Sequence, residues 1–158
     1  MSTFDVPGLA DLQRLMADLP EKLAKTVVRG GLRAGAVVLQ QEARALVPEK
    51  TGALRKSIKV STGIKAGRVY SRVRAGDKTA YYAHMVEFGT GAHKIGAKAG
   101  GFLSINGRLV RSANHPGARG KPFMRPAMDG RAASALDAMS GYLAERLDRE
   151  IAKIKAGG

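Results

Sequence analysis

Apolar residues recur through the first third of the chain at helical spacing. Leu23, Val27, Ala34, Val38 and Ala45 step by four and seven, and Leu32, Leu39 and Leu46 widen the stripe. Such a stripe predicts an amphipathic helix over residues 20–47. Pro20 suits the first helical position with Asp18 before it as a cap, and Pro48 stops the helix near Val47. Gly30, Gly31 and Gly35 fall inside it, each weakening the helix by about 1 kcal/mol relative to alanine. Small residues at such points let another backbone come close. A shorter helix is expected over residues 8–18, within an N-terminal arm of residues 1–19. At the other end Ala132, Leu136, Met139, Leu143, Leu147, Ile151 and Ile154 step by three or four, with Asp137, Glu145, Arg146, Asp148, Arg149 and Lys153 mostly opposite. A second helix is predicted over residues 126–155, opened by Pro126. Its stripe reads as core rather than coiled-coil seam, because no heptad is sustained.

Between these helices the period changes. Ser57-Ile58-Lys59-Val60-Ser61 alternates as a half-buried strand does, and Val69, Ser71, Val73 and Ala75 share a face opposite Tyr70, Arg72 and Arg74. Gly63 and Gly67 bracket the connection, so residues 56–75 read as a hairpin. Tyr81 to Phe88 reads as a short helix closed by Gly89, with Phe88 anchored in the core. Residues 91–121 form a glycine-rich excursion. Within it Asn106-Gly107 separates Phe102–Ile105 from Arg108–Val110, a strong hairpin signal. An excursion this long in a compact chain points to function. The reading is one α+β domain over 1–158: N-terminal helices, a small antiparallel sheet and short helix over 50–90, an extended basic hairpin loop, and a long C-terminal helix packed on the sheet.

Composition narrows the chemistry. The chain has 158 residues, 44% of them apolar, and no Cys or Trp. Zero cysteines exclude a disulfide framework and thiolate zinc sites and fit synthesis in a reducing cytoplasm. No apolar run reaches the length of a membrane span, and Met1-Ser2-Thr3-Phe4-Asp5 lacks the basic start of a secretory signal, so the product is expected to be soluble and unprocessed.

Charge changes the picture more. The chain carries 27 basic and 13 acidic residues, a net of +14. Residues 50–125 hold sixteen of the basic residues and only Asp77 and Glu87 among the acids, which already makes +14, and the flanks sum to zero. Self-repulsion disfavours such a block, so it implies a polyanionic partner: nucleic acid or an acidic protein face. The blander reading, solubility alone, stays open. Glu87, nearly alone among cations, is expected to pair with an Arg or Lys of the same chain or the next subunit.

Catalysis finds little footing. His84, Glu87 and His93 offer a His-x-x-Glu-x-x-x-x-x-His spacing, but His115 lies apart in a Gly/Pro loop. No Gly-x-Ser-x-Gly elbow or phosphate-binding Gly-x-x-x-x-Gly-Lys-Ser/Thr occurs, and Gly120-Lys121 runs into Pro122, which has no amide to donate. No catalytic residue, metal or cofactor is expected.

Three runs carry a family resemblance. Val47-Pro48-Glu49-Lys50-Thr51-Gly52-Ala53-Leu54-Arg55-Lys56-Ser57-Ile58 resembles the Pro…Thr-Gly-x-Leu-Arg-x-Ser-Ile signature of phage tail-component proteins. Tyr82-Ala83-His84-Met85-Val86-Glu87-Phe88-Gly89-Thr90 resembles their Tyr-Ala-x-x-Val-Glu-Phe-Gly-Thr segment. His115-Pro116-Gly117 with Lys121-Pro122-Phe123-Met124-Arg125-Pro126-Ala127 resembles their closing Pro-Phe-x-Arg-Pro-Ala motif. These are the marks of the gene-product-ten family of HK-type lambdoid phages, and the likeness spans about residues 20–154. It implies a virion structural protein of the neck or tail end, in a head–tail joining, tail-completion or terminator role. The resemblance further implies a homo-oligomeric ring, expected to be a hexamer, around the DNA path. Its partners would be other neck and tail proteins (adaptor, stopper, terminator or tail tube) and, in passing, packaged double-stranded DNA, with no membrane. It would be made in the host cytoplasm.

In physical terms Pro48, Thr51, Gly52, Gly89, Pro122 and Pro126 are turn-setting positions, with Gly52 and Gly89 suited to positive φ. Arg108, Arg111, Arg119, Phe123, Arg125 and Glu87 are the candidate assembly residues. Arg55, Lys56, Arg72 and Arg74 are the candidates for facing DNA. The alternative class is a monomeric basic nucleic-acid-binding protein, DNA- or ribosome-associated, for which 5% aromatics give few stacking platforms.

Overall fold

The computed structural model describes residues 21–48 and 51–156. The expected 8–18 helix and the Asp18–Pro20 cap lie outside them. Helix α1 spans Glu21–Leu46, and α2 is a short helix, Ala53–Ser57. Strands β1 (Lys59–Lys65) and β2 (Arg68–Arg74) follow, then α3 (Ala83–Phe88). Next come β3 (His93–Gly96), β4 (Leu103–Ile105), β5 (Arg108–Val110) and β6 (Ser112–His115), and α4 (Met124–Ala156) closes the chain. The α+β architecture is as the pattern implies.

Helices α1 and α4 lie side by side, and β1–β2 packs against α1. The last helix therefore reaches the sheet layer largely through α1. The glycines of α1 explain the close helix pair. A Cβ added at Gly31 would stand 2.9 Å from Leu143 Cγ, and one at Gly35 would stand 2.8 Å from the Ala135 carbonyl oxygen. Small residues on both helices allow that approach, and Val27 with Leu147 seals one end. Gly35→Ala is accordingly expected to lower stability by up to about 2 kcal/mol. Overpacking of about 1–3 kcal/mol outweighs the roughly 1 kcal/mol gained in helix propensity. A thermal melt that rises instead would show that the helices part freely there.

The stripes read from sequence are realised with shifts. On α1 the buried apolar side chains are Val27, Ala36 and Ala43, beside the buried Gly31 and Gly35, whereas Leu46 is exposed. On α4 the buried apolar positions are Ala127, Ala135 and Leu147, Glu150 is buried with them, and Leu136 is half out. Leu136 and Ala132 instead line an open apolar groove of about 730 Å³, between α1, α4 and β2. The main core gathers Ala43, Val47, Leu54, Ile58, Ala80, Ala83, Phe123 and Ala127, drawn from all three motif segments.

Two expectations are corrected. Ser57 does not begin a strand; it ends α2, where its Oγ donates to the Leu54 carbonyl at 2.7 Å and accepts the Gly76 N–H at 3.0 Å. Gly63 does not mark the turn either. It sits inside β1 opposite Tyr70, and the turn is Ala66-Gly67, with φ of 48° and 76°. The Tyr70 ring covers the glycine, since a Cβ there would meet its hydroxyl at 2.8 Å.

The 91–121 excursion is a paired β-arm. Its base ladder joins β3 to β6 from His93↔His115 to Gly96↔Ser112, and its tip joins β4 to β5 around Asn106-Gly107. Ala97 donates to the Arg111 carbonyl at 2.9 Å between the two. Phe102, Ile105 and Leu109 stand exposed near the tip.

Candidate assembly faces

The three motif segments meet in space, and Glu87 ties two of them together. One carboxylate oxygen accepts the N–H groups of Phe123 and Met124 at 2.7 and 3.0 Å, and the other accepts that of Arg125 at 3.2 Å. These are the first N–H groups of α4. The fourth has been removed, because residue 126 is proline. The first helical bond is then Ala127 N–H to the Phe123 carbonyl. One carboxylate plus one proline thus satisfies all four donors that a helix start leaves unpaired. Glu87 was expected to pair with a basic side chain; its hydrogen-bond partner is the backbone of α4. Burial tends to raise its pKa, but the three N–H donors and the Arg125 charge outweigh that and hold it below the usual glutamate value.

The backbone around Glu87 is stitched just as closely. Lys121 N–H donates to the Val86 carbonyl at 2.7 Å, and Thr90 and Ala118 exchange N–H···O bonds of 2.9 and 3.0 Å. A Cβ on Gly89 would stand 2.5 Å from the Ala118 carbonyl oxygen, and its φ is 79°. Glycine is required there twice over, by conformation and by approach. The crossing clamps the base of the β-arm to the body.

The first motif closes the same region from the other side. Gly52 takes φ 72° and starts α2, while Leu54 and Ile58 are buried. The Ile58 carbonyl accepts from Gln40 Nε2 at 2.7 Å and Arg44 Nη2 at 2.8 Å, fixing the segment to α1. Between the motifs lies a cavity of about 490 Å³. Pro48, Thr51 and Gly52 wall it from the first motif, Tyr82 and Val86 from the second, and Arg119 and Lys121 from the third, with Arg55 beside them.

The candidate residues separate into distinct places. Arg55 and Arg119 share that cavity, and Arg55, Lys56 and Arg44 line a shallow depression beside Gly52. Arg108 and Arg111 are exposed on the arm, the latter 5.8 Å from the Phe102 ring centroid. Phe123 is fully buried in the core of its own chain, so it wedges inward rather than toward a neighbour. Phe88, expected in the core, is 75% exposed. On so short a helix Ala83 and Val86 take the inner side and Phe88 falls outside it.

Arg72 and Arg74 have company that the sequence reading missed. The β1–β2 register sets Lys59 opposite Arg74 and Lys65 opposite Arg68. Alternation places these four with Tyr70 and Arg72 on one exposed ribbon face. Like charges directly opposite destabilise a sheet. Only Lys59 has a nearby acid, Asp77 at 3.9 Å, among the described residues. Pairing the alternation across both strands, rather than reading each alone, would have revealed this face.

His84, Glu87 and His93 do not converge. His84 Nδ1 lies 3.1 Å from the Tyr81 carbonyl, His93 Nδ1 lies 2.9 Å from that of Gly91, and Glu87 is engaged by α4. Among the described residues no three His, Asp or Glu side chains are placed to hold a metal ion. No described helix is long and apolar enough to cross a membrane.

Residues 10–89 match the family model described as "Bacteriophage HK97-gp10, putative tail-component". The chain belongs to this HK97 gp10-like family. The match takes in the first motif and the second as far as Gly89, and the third lies beyond it. No curated protein and no solved structure matches the chain.

Proposed function

We propose that this protein forms a ring around the DNA path at the neck or tail end of a phage particle, where it joins or completes the tail. Its work is binding rather than catalysis. The observation that carries the reading is the cationic face of the β1–β2 ribbon. Lys59, Lys65, Arg68, Arg72 and Arg74 project together from a family member whose place is the tail. A ribbon tolerating such repulsion gains from a polyanion beside it, and packaged DNA is the polyanion of a tail lumen.

A closed ring of six copies needs a heterologous interface, one patch meeting a different patch on the next copy. Two unpartnered apolar surfaces suit that need: the β-arm tip with Phe102, Ile105 and Leu109, and the groove between α1 and α4. An isolated two-stranded ribbon is marginally stable in water, so the arm gains from docking. The arm cations Arg108, Arg111 and Arg119 are then read as contacts to neighbouring proteins. Changing all three to Glu is expected to leave free heads and free tails in place of joined particles, counted by electron microscopy beside the infectious titre. Normal joining with impaired DNA ejection would assign them to the lumen instead.

A further inference from the structure

Helix α3 presents an outer side that the fold does not use. Ala83 and Val86 turn into the core, and Glu87 holds α4. Met85 and Phe88, three residues apart on the other side, are 41% and 75% exposed, and Tyr81 one turn earlier is 69% exposed. An aromatic and methionine cluster left in water is a usual mark of a docking surface, since these residue types dominate the centres of protein interfaces.

The surroundings define what would dock. Met85 also lines the cavity between the motifs, whose rim carries Arg55, Arg119 and Lys121. Phe88 lines a second depression, of about 650 Å³, with Arg125. Of the two acids in that depression, Glu87 is engaged by α4, which leaves Asp129. The patch is therefore an apolar centre set among cations.

We propose that the outer side of α3 docks an acidic segment of a different virion protein, one that lays an apolar side chain against Met85 and Phe88 and sets carboxylates on Arg119 and Lys121. The proposal rests on the tail-assembly reading above. A second copy of this chain is a poor occupant. It brings another net +14, and several of its carboxylates are already paired, Glu21 with Lys25, Glu42 with Arg131 and Glu145 with Arg149. DNA supplies the charge but no apolar anchor for Met85 and Phe88. Complementary charge would steer the encounter, and the apolar contacts would hold it.

The test places a photo-crosslinking amino acid at position 88 and irradiates assembled particles, with the attachment site read by mass spectrometry. The expected product joins position 88 to an acidic segment of another virion protein. Attachment to a second copy of this chain, attachment to DNA, attachment to a non-acidic segment, or no product would each overturn the proposal. In parallel, Phe88→Ser and Met85→Ser proteins are added to particles that lack this component. Both side chains are exposed, so circular dichroism should be unchanged while incorporation falls at least about 10-fold, with a deficit that narrows when protein is raised. Undiminished incorporation also overturns the proposal. Particle symmetry is scored separately, so loss of the ring reading and loss of this docking site are distinguishable.

Discussion

Replacing Glu87 with alanine is expected to cost about 3 kcal/mol of stability, the largest loss expected from any single exposed or half-buried side chain discussed above. The carboxylate accepts three N–H groups at the start of a 33-residue helix. Alanine leaves all three unpaired and removes a negative charge from the positive end of the helix dipole. A charge-assisted hydrogen bond contributes about 1.5–3 kcal/mol, and three on one group are not additive, which sets the figure near the upper end of one. For a chain of this size that corresponds to a midpoint lower by roughly 6–12 °C in a thermal melt. Glu87→Gln should lose less, because one amide oxygen can still accept. A melt within about 2 °C of the parent for Glu87→Ala would show that solvent satisfies the helix start equally well.

The same group gives a pH dependence with a definite sign. Its folded pKa lies below the ordinary glutamate value. The unfolded chain therefore takes up the proton first as pH falls. The stabilisation is fully present above the ordinary value of 4.5 and is lost as pH drops through the lower folded value. The difference in stability between parent and Glu87→Gln should accordingly be constant near neutrality and shrink below about pH 4.5.

The second large effect concerns DNA. If the ribbon face meets phosphates with its five cations, log affinity for duplex DNA should fall with log salt at a slope of about −4.5. That is roughly a 500-fold loss between 50 and 200 mM salt. Changing Arg68, Arg72 and Arg74 to Gln leaves Lys59 and Lys65, so the slope should drop to about −2 and the loss to about 12-fold. Fluorescence anisotropy with a labelled duplex reads both. A slope unchanged in the triple variant would place DNA contact elsewhere, and the arm arginines would be next in line.

Much of this was legible in the residues because the signals are local. Helical periodicity located α1 and α4, Asn106-Gly107 located the arm tip, and the motif glycines Gly52 and Gly89 were legible as positive-φ positions. What was missed depends on distant or very short features. Glu87 finds its partners 36 to 38 residues away, so nothing beside it in sequence announces a helix cap. Only its isolation among cations hinted at a structural duty. Helix α2 has five residues, too few for a period to show, and the alternation at Ser57–Ser61 overran its end. Phe88 was assigned inward because it is aromatic beside a closing glycine, but a six-residue helix has room for only one buried side, and Ala83 and Val86 take it. The base ladder of the arm, His-Lys-Ile-Gly against Ser-Ala-Asn-His, has a single β-branched residue and reads as loop until its partner is known.

The proposed ring surrounds the DNA path with its ribbon face inward. A cryo-electron reconstruction of the assembled particle, with copy number measured independently by quantitative mass spectrometry, tests it directly. Six copies related by a closed rotation are expected, with Arg68, Arg72 and Arg74 lining the lumen. One or two copies per particle, or a ring whose β1–β2 ribbon faces outward to solvent, would contradict it.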